Sequence, residues 1–201
     1  MLIASFFSRT LHPNTRTRQH PSEFGLSMDA PAPKSIFARK RDLLYLSFFA
    51  IHIPIVFCVD VLPVYPEWMK PEPLLALRQW YIDTYQDRFF SAPPPWFSMY
   101  IWMELLYHAP LSAWAVGALM RDDPKVPIHL LIYACQTGIT TMTCIAEYLS
   151  WDSFTNEQKL SLSGLYVPYL ALSVFMGVDM FRRLEKRSAP GATTTPTKKQ
   201  L

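Results

Sequence analysis

Apolar residues in this chain do not alternate with polar ones at the two-residue period of a half-buried strand. They gather in long runs separated by short charged joints. Four runs, at about residues 43–62, 97–119, 127–149 and 160–181, approach the roughly 20 mostly apolar residues that a helix needs to cross a bilayer. One such run also suits a buried helix of a soluble protein. Four in succession predict an all-α protein, a four-helix transmembrane bundle.

The segment between the first two runs, residues 63–95, is rich in Trp68, Trp80, Tyr81, Tyr85, Phe89 and Phe90. Its part 72–90 is expected to form an amphipathic helix lying on the membrane. Two readings stay open for it: a lid over a pocket, or an aromatic anchor at the interface.

Composition agrees with the runs. The 201 residues have room for one domain; half are hydrophobic, 14% aromatic and only 17% charged, where a soluble domain carries roughly a quarter. The net charge of +3 does not point to nucleic acid, because the basic residues sit in short groups beside apolar runs. Arg39, Lys40 and Arg41 precede the first run, Arg121 and Lys125 separate the second and third, and Arg182, Arg183, Lys186 and Arg187 follow the fourth. By the positive-inside tendency these ends and both termini are cytosolic, and the aromatic helical loop is lumenal. Lys70, Arg78 and Arg88 in that loop are offset by Glu67, Glu72, Asp83 and Asp87. Cys58, Cys135 and Cys144 fall inside runs, so they read as small packing residues rather than a disulfide framework.

Both ends are polar. Residues 1–38 are expected to be a disordered tail; within it residues 1–27, poor in acid and carrying Arg9, Arg16 and Arg18, loosely fit a mitochondrial transit peptide, and Met28 is an alternative start to Met1. Residues 185–201 are expected to be a disordered cytosolic tail. Within it, Lys198 and Lys199, third and fourth from the end, resemble the dilysine retrieval signal of endoplasmic reticulum membrane proteins.

The chemistry lies in polar residues inside apolar runs, where an ionisable group costs a few kcal/mol and normally faces a partner or a cavity. The first run holds His52 and Asp60, the second Glu104 and His108, and the fourth Tyr166, Tyr169 and Ser173. Glu104 and His108 are four apart and share a helix face; His52 and Asp60, eight apart, nearly eclipse. In the third run Gln136, Thr140, Thr143 and Glu147 make an inward stripe. Pro54, Pro110 and Pro168 each remove a backbone hydrogen bond, so kinks can open a pocket between the helices. The alternatives are plainer: Asp60 and Glu147 wet at an interface, His52 capping a carbonyl, the threonines packing helix on helix. Glu104, well inside its run, fits them least. No metal site and no cofactor are expected.

The blocks "HIPIVFCVD", "WYIDTYQD", "PPPWF", "MELLYHAPL" and "LYVPYL" come in the same order and at similar separations as in the sigma-2 receptor family of EXPERA-domain membrane proteins. The resemblance covers the ordered chain, taken as an EXPERA-type domain over residues 39–184. It implies a four-helix endoplasmic reticulum protein with cytosolic termini and a lumen-facing, membrane-enclosed pocket for sterols or hydrophobic amines. By resemblance, Asp60 pairs with a ligand amine, Glu104 is the carboxyl hydrogen-bonded beside it, and Asp87 holds the loop together. His52, Tyr81, Thr140, Tyr166 and Tyr169 match pocket-lining or pocket-supporting positions. His108 stands where vertebrate receptors of the family have glutamine, and Gln136 where they have histidine. Ligand preference therefore does not carry over.

Three functions follow. The first is a binder of sterols or cationic amphiphiles that regulates sterol handling or the fate of other proteins. The second is a sterol isomerase like the related emopamil-binding protein, with His52 and Glu104 moving protons; that enzyme has a carboxylate four residues after its histidine, where this chain has Val56. The third is an escort for membrane protein clients, as in a fungal branch named for efficient mitochondria targeting. The expected partners are the lipid bilayer, the ligand, a homodimer mate and a membrane protein client.

Overall fold

Proline, capping residues and apolar length set the helix boundaries. The computed structural model describes residues 35–189. The expectations for residues 1–34 and 190–201, including the start at Met1 or Met28 and the Lys198–Lys199 signal, lie outside them. Helix α1 (Lys40–Ile55) runs into a π-turn, Val56–Asp60. Helix α2 (Glu72–Tyr85) starts on Pro73 in its first turn and ends at Gln86, whose φ of 52° is left-handed. Helix α3 (Arg88–Ser91) is capped by Asp87, whose carboxylate accepts the Phe89 N–H. Helix α4 (Pro95–Met103) leads through a second π-turn, Glu104–His108, into α5 (Ala109–Met120). Helix α6 (Val126–Leu149) and α7 (Asn156–Ser188) complete the order. A capping box starts α7: Thr155 Oγ1 accepts from the Gln158 N–H at 3.3 Å, and Gln158 Oε1 accepts from the Thr155 N–H at 2.8 Å.

The described residues are all helix, turn and coil, with no strand. Lys40–Asp60, Val126–Leu149 and Asn156–Ser188 are long and apolar enough to cross a membrane. The second predicted run forms a continuous helical path over 95–120 but is not among these three; Glu104, His108 and its prolines lower its apolar character. The predicted surface helix over 72–90 is divided. Gln86 turns the chain, and Asp87 begins a new helix.

A proline adjoins each π-turn, Pro54 two residues before the first and Pro110 two residues after the second. Pro54 and Pro110 have no N–H, so the regular ladder is already interrupted beside them. In the first turn the Val61 N–H reaches back five residues to the Val56 carbonyl; in the second the Ala109 N–H reaches back five to Glu104. Pro168, by contrast, is absorbed inside α7 without a break.

Helices α6 and α7 pack along their length through small residues. A Cβ on Gly138 would meet Ser173 Oγ at 3.2 Å, and one on Gly177 would meet the Ala134 Cβ at 3.6 Å. Helix α1 packs mainly on α5. One core layer joins Tyr45, Phe49, Leu119, Leu130, Tyr133 and Met180; another joins Phe89, Tyr148, Trp151 and Leu162. Outward faces are apolar, with Leu44, Ile132, Met142, Phe175 and Val178 exposed, as bilayer contact requires.

Charge closes the basic end. Asp179, buried in α7, accepts from Arg41 at 2.6 Å, from the Tyr45 hydroxyl at 3.0 Å and from Arg183 at 2.7 Å. Arg183 also pairs with buried Asp42 at 2.7 Å, so α1 and α7 are fastened there. In sequence these arginines read as topology signals, and neither aspartate stands out from its run.

Candidate functional site

The helices and the α2–α3 segment line a partly open cavity of about 580 Å³. It falls in the range of pockets that bury a drug-sized ligand. Helix α1 contributes Phe48, Ile51, His52 and Ile55; its π-turn adds Val59 and Asp60. Trp80, Tyr81 and Tyr85 come from α2 and Phe90 from α3, so this segment covers one side. Glu104 and His108 open and close the second π-turn; Thr137, Thr140, Thr141 and Cys144 come from α6, and Tyr166 and Tyr169 from α7.

Asp60 and Glu104 therefore face one cavity, near enough for the charge of Asp60 to bear on Glu104. Their meeting depends on the π-turns, because each turn carries one of the two acids. His52 is buried beneath them. The Tyr169 hydroxyl lies 3.2 Å from His52 Nδ1, and Phe48 stacks on the imidazole at 5.2 Å between centroids. His108 packs on Tyr133 at 4.8 Å.

Asp87 sits behind the cavity wall rather than in it. Fully buried, its Oδ2 accepts from the Tyr81 hydroxyl at 3.0 Å and the Tyr166 hydroxyl at 2.7 Å, while Oδ1 accepts from the Phe89 N–H at 3.0 Å. Burial raises the Asp87 carboxyl above its ordinary value against the pull of these donors, and raises the Tyr81 phenol further, with the Asp87 charge adding to it. One carboxyl thus ties α2, α3 and α7 together and orients two cavity-lining tyrosines.

The α6 stripe is rotated from the expected one. Thr137, Thr140, Thr141 and Cys144 face the cavity, whereas Gln136, Thr143 and Glu147 do not line it. Gln136 stays beside His108 in the wall. Thr143 Oγ1 donates to the Ile139 carbonyl at 2.9 Å, and Glu147 accepts from Trp151 Nε1 at 3.4 Å. Pro54 and Pro110 do not line the cavity; they adjoin the π-turns that shape it. Val56 is buried against Val61, Ile101 and Ala109, pointing away from the cavity.

In sequence Arg78 is only a loop charge offset by nearby acids; in the structure it is a fixed part of the site. Its Nη1 donates to the Val59 carbonyl at 3.1 Å and its Nη2 to the Phe90 carbonyl at 3.0 Å. Its guanidinium carbon lies 4.9 Å from the Phe90 ring centroid. Burial lowers its pKa, against the opposing pull of Asp60 and Asp87. A lone arginine on an aromatic helix near two acids is the only sequence signal for it. Among the described residues, no cluster of three or more His, Cys, Asp or Glu is arranged to hold a metal.

Comparison with known proteins places this geometry in context. The family model EXPERA (EXPanded EBP superfamily) matches residues 73–180. "Efficient mitochondria targeting-associated protein 19" of Schizosaccharomyces pombe is 32% identical over 163 residues, covering 77% of this chain and 85% of that relative. "Sigma intracellular receptor 2" of Xenopus tropicalis is 28% identical over 167 residues, covering 76% of this chain and 98% of the relative. The Homo sapiens protein of the same name is 26% identical over 167 residues, covering 77% and 93%.

Proposed function

This chain belongs to the EXPERA family of membrane proteins, and from that premise we propose that its cavity binds a sterol or a hydrophobic amine within the membrane. The observation that carries the reading is a largely apolar cavity of about 580 Å³ with Asp60 and Glu104 on its wall. An isolated pair of membrane carboxyls is costly, and a ligand head that accepts or donates between them offsets that cost. In this reading Asp60 meets an ammonium, Glu104 supports it, and Tyr81, Tyr166, Tyr169, Thr140, His52 and His108 hold the ligand body. Gln136 acts indirectly, beside His108. Asp87, Pro54 and Pro110 have structural roles.

The path over 95–120 is the fourth span, supported by its length and by the apolar residues Met99, Trp102 and Leu106 on its exposed side. The basic ends are cytosolic, α2 and α3 form a lumenal lid, and the protein resides in the endoplasmic reticulum, with Lys198 and Lys199 as its retrieval signal. The EXPERA-type domain spans residues 39–184, flanked by the tails 1–38 and 185–201. Ligand occupancy regulates sterol handling or the fate of client proteins, and the protein works as a homodimer.

Equilibrium binding in lipid nanodiscs tests the site. Asp60→Asn is expected to weaken a hydrophobic tertiary amine by tenfold or more, roughly the strength of one charge-assisted contact. Unchanged amine affinity would remove Asp60 from the site.

Two other activities are tested beside it. His52 and Glu104 line the same cavity, so an isomerase is assayed by incubation with a ring-unsaturated sterol in heavy water. A moved double bond with deuterium, lost in Glu104→Gln, would establish it; recovered starting sterol would exclude it. The printed name of the fission yeast relative favours an escort role for membrane clients, in which import survives Asp60→Asn.

A further inference from the structure

The acidic end of the cavity carries its own fixed cation. Arg78 is part-buried, and its two terminal nitrogens are held by different backbone carbonyls, Val59 at 3.1 Å and Phe90 at 3.0 Å. Both acceptors belong to cavity-lining residues, and Val59 immediately precedes Asp60. The Phe90 ring packs against the guanidinium at 4.9 Å. A guanidinium with two nitrogens engaged and one face covered cannot swing into solvent, and at any accessible pH it keeps its charge.

The charge acts on the site without closing onto it. The described residues show no ion pair between Arg78 and Asp60 or Asp87; their charges interact across a gap. Asp87 already has two tyrosine hydroxyls and a backbone N–H. Asp60 is therefore the acid whose field Arg78 offsets where a ligand head would sit. An arriving ammonium meets attraction from Asp60 that repulsion from Arg78 offsets, whereas a neutral hydroxyl escapes the repulsion and can still donate to a carboxylate.

We propose that Arg78 is a resident counter-cation that tunes this cavity toward neutral, hydroxyl-bearing apolar ligands and away from amines. The assignment rests on the binding reading above and names the ligand class within it. At an effective dielectric near 20, like unit charges within roughly 10 Å of each other shift an equilibrium constant by about tenfold or more.

The test measures dissociation constants in nanodiscs for two probes, radiolabelled cholesterol and a radiolabelled hydrophobic tertiary amine, with wild type, Arg78→Gln and Arg78→Lys. Glutamine keeps a donor for the lid carbonyls and removes the charge; lysine keeps the charge and loses the fork. Arg78→Gln is expected to bind the amine at least about tenfold tighter, with cholesterol unchanged within about twofold and Arg78→Lys close to wild type for both. Unchanged or weaker amine binding in Arg78→Gln would overturn the assignment, as would equal loss of both probes, which would make Arg78 a lid brace only. If Arg78→Gln does not fold, Arg78→Lys decides: a tenfold gain in amine binding with the charge retained would overturn the assignment, and a wild-type ratio of the two affinities would support it. Wild-type protein that binds neither probe would instead refute the binding reading itself.

Discussion

Replacing Asp87 with alanine should show whether one buried carboxyl organises the lid side of the cavity. The substitution removes the acceptor for the Tyr81 hydroxyl at 3.0 Å, the Tyr166 hydroxyl at 2.7 Å and the Phe89 N–H at 3.0 Å. Losing the cap of α3 costs about 1 kcal/mol. Leaving two tyrosine hydroxyls without an acceptor costs about 1–3 kcal/mol each. Relief from burying the acid returns part of this, so the net loss is about 3–5 kcal/mol, typical of breaking a buried charged network. For a chain of this size each kcal/mol moves the midpoint by about 2–4 °C, which gives a fall of about 6–20 °C. Intrinsic tryptophan fluorescence in detergent micelles reads the midpoint. Asp87→Asn keeps acceptor capacity and should lose about half as much. Ligand affinity should fall with the midpoint, because Tyr81 and Tyr166 line the cavity. An alanine variant melting within about 2 °C of wild type would refute the reasoning, since the half-buried tyrosines could not then depend on Asp87.

Other outcomes follow from the same geometry. Burial raises the Asp87 carboxyl, so the folded protein holds a proton there more tightly than the unfolded chain. Stability should then rise as pH falls from the raised value toward the ordinary aspartate value of about 4, with a flatter slope in Asp87→Asn; an equal slope in both would contradict it. Asp179→Ala removes acceptors from Arg41, Tyr45 and Arg183 and should cost about 3–5 kcal/mol, read as a loss of thermal midpoint with the cavity residues intact. Gly138→Leu forces a side chain toward Ser173 Oγ, already 3.2 Å from the position of a Cβ; about 1–3 kcal/mol of overpacking is expected in the same melt.

The long apolar runs were legible because membrane helices display their outer faces directly in sequence: exposed Leu44, Ile132, Phe175 and Val178 are the same residues that mark the runs. Asp60, Glu104, His52 and His108 were legible because ionisable groups stand out against such a background, and the structure brings all four to one cavity. The face of α6 was not. Spacing alone left the stripe free to rotate, and contact with α7 at Gly138 and Ser173 turns Thr137, Thr141 and Cys144 inward in place of Gln136, Thr143 and Glu147. Regular periodicity also cannot announce the π-turns at Val56–Asp60 and Glu104–His108; the nearby prolines were the only cue. Arg78 and the Asp42–Arg183–Asp179 clamp depend on partners far along the chain, so their charges read locally as loop and topology signals.

Photoaffinity labelling distinguishes a ligand inside the cavity from one that coats the lipid-facing surface. A diazirine-bearing sterol is crosslinked to the protein in nanodiscs and the labelled residues are mapped by peptide mass spectrometry. A ligand in the cavity is expected to give adducts on Phe48, Phe97, Tyr100 and Met103, which line it, displaced by unlabelled sterol and abolished by Thr140→Trp. Adducts spread over Val174, Phe175, Val178 and Phe181, exposed on α7, with no response to competitor or to the blocking tryptophan, would contradict it.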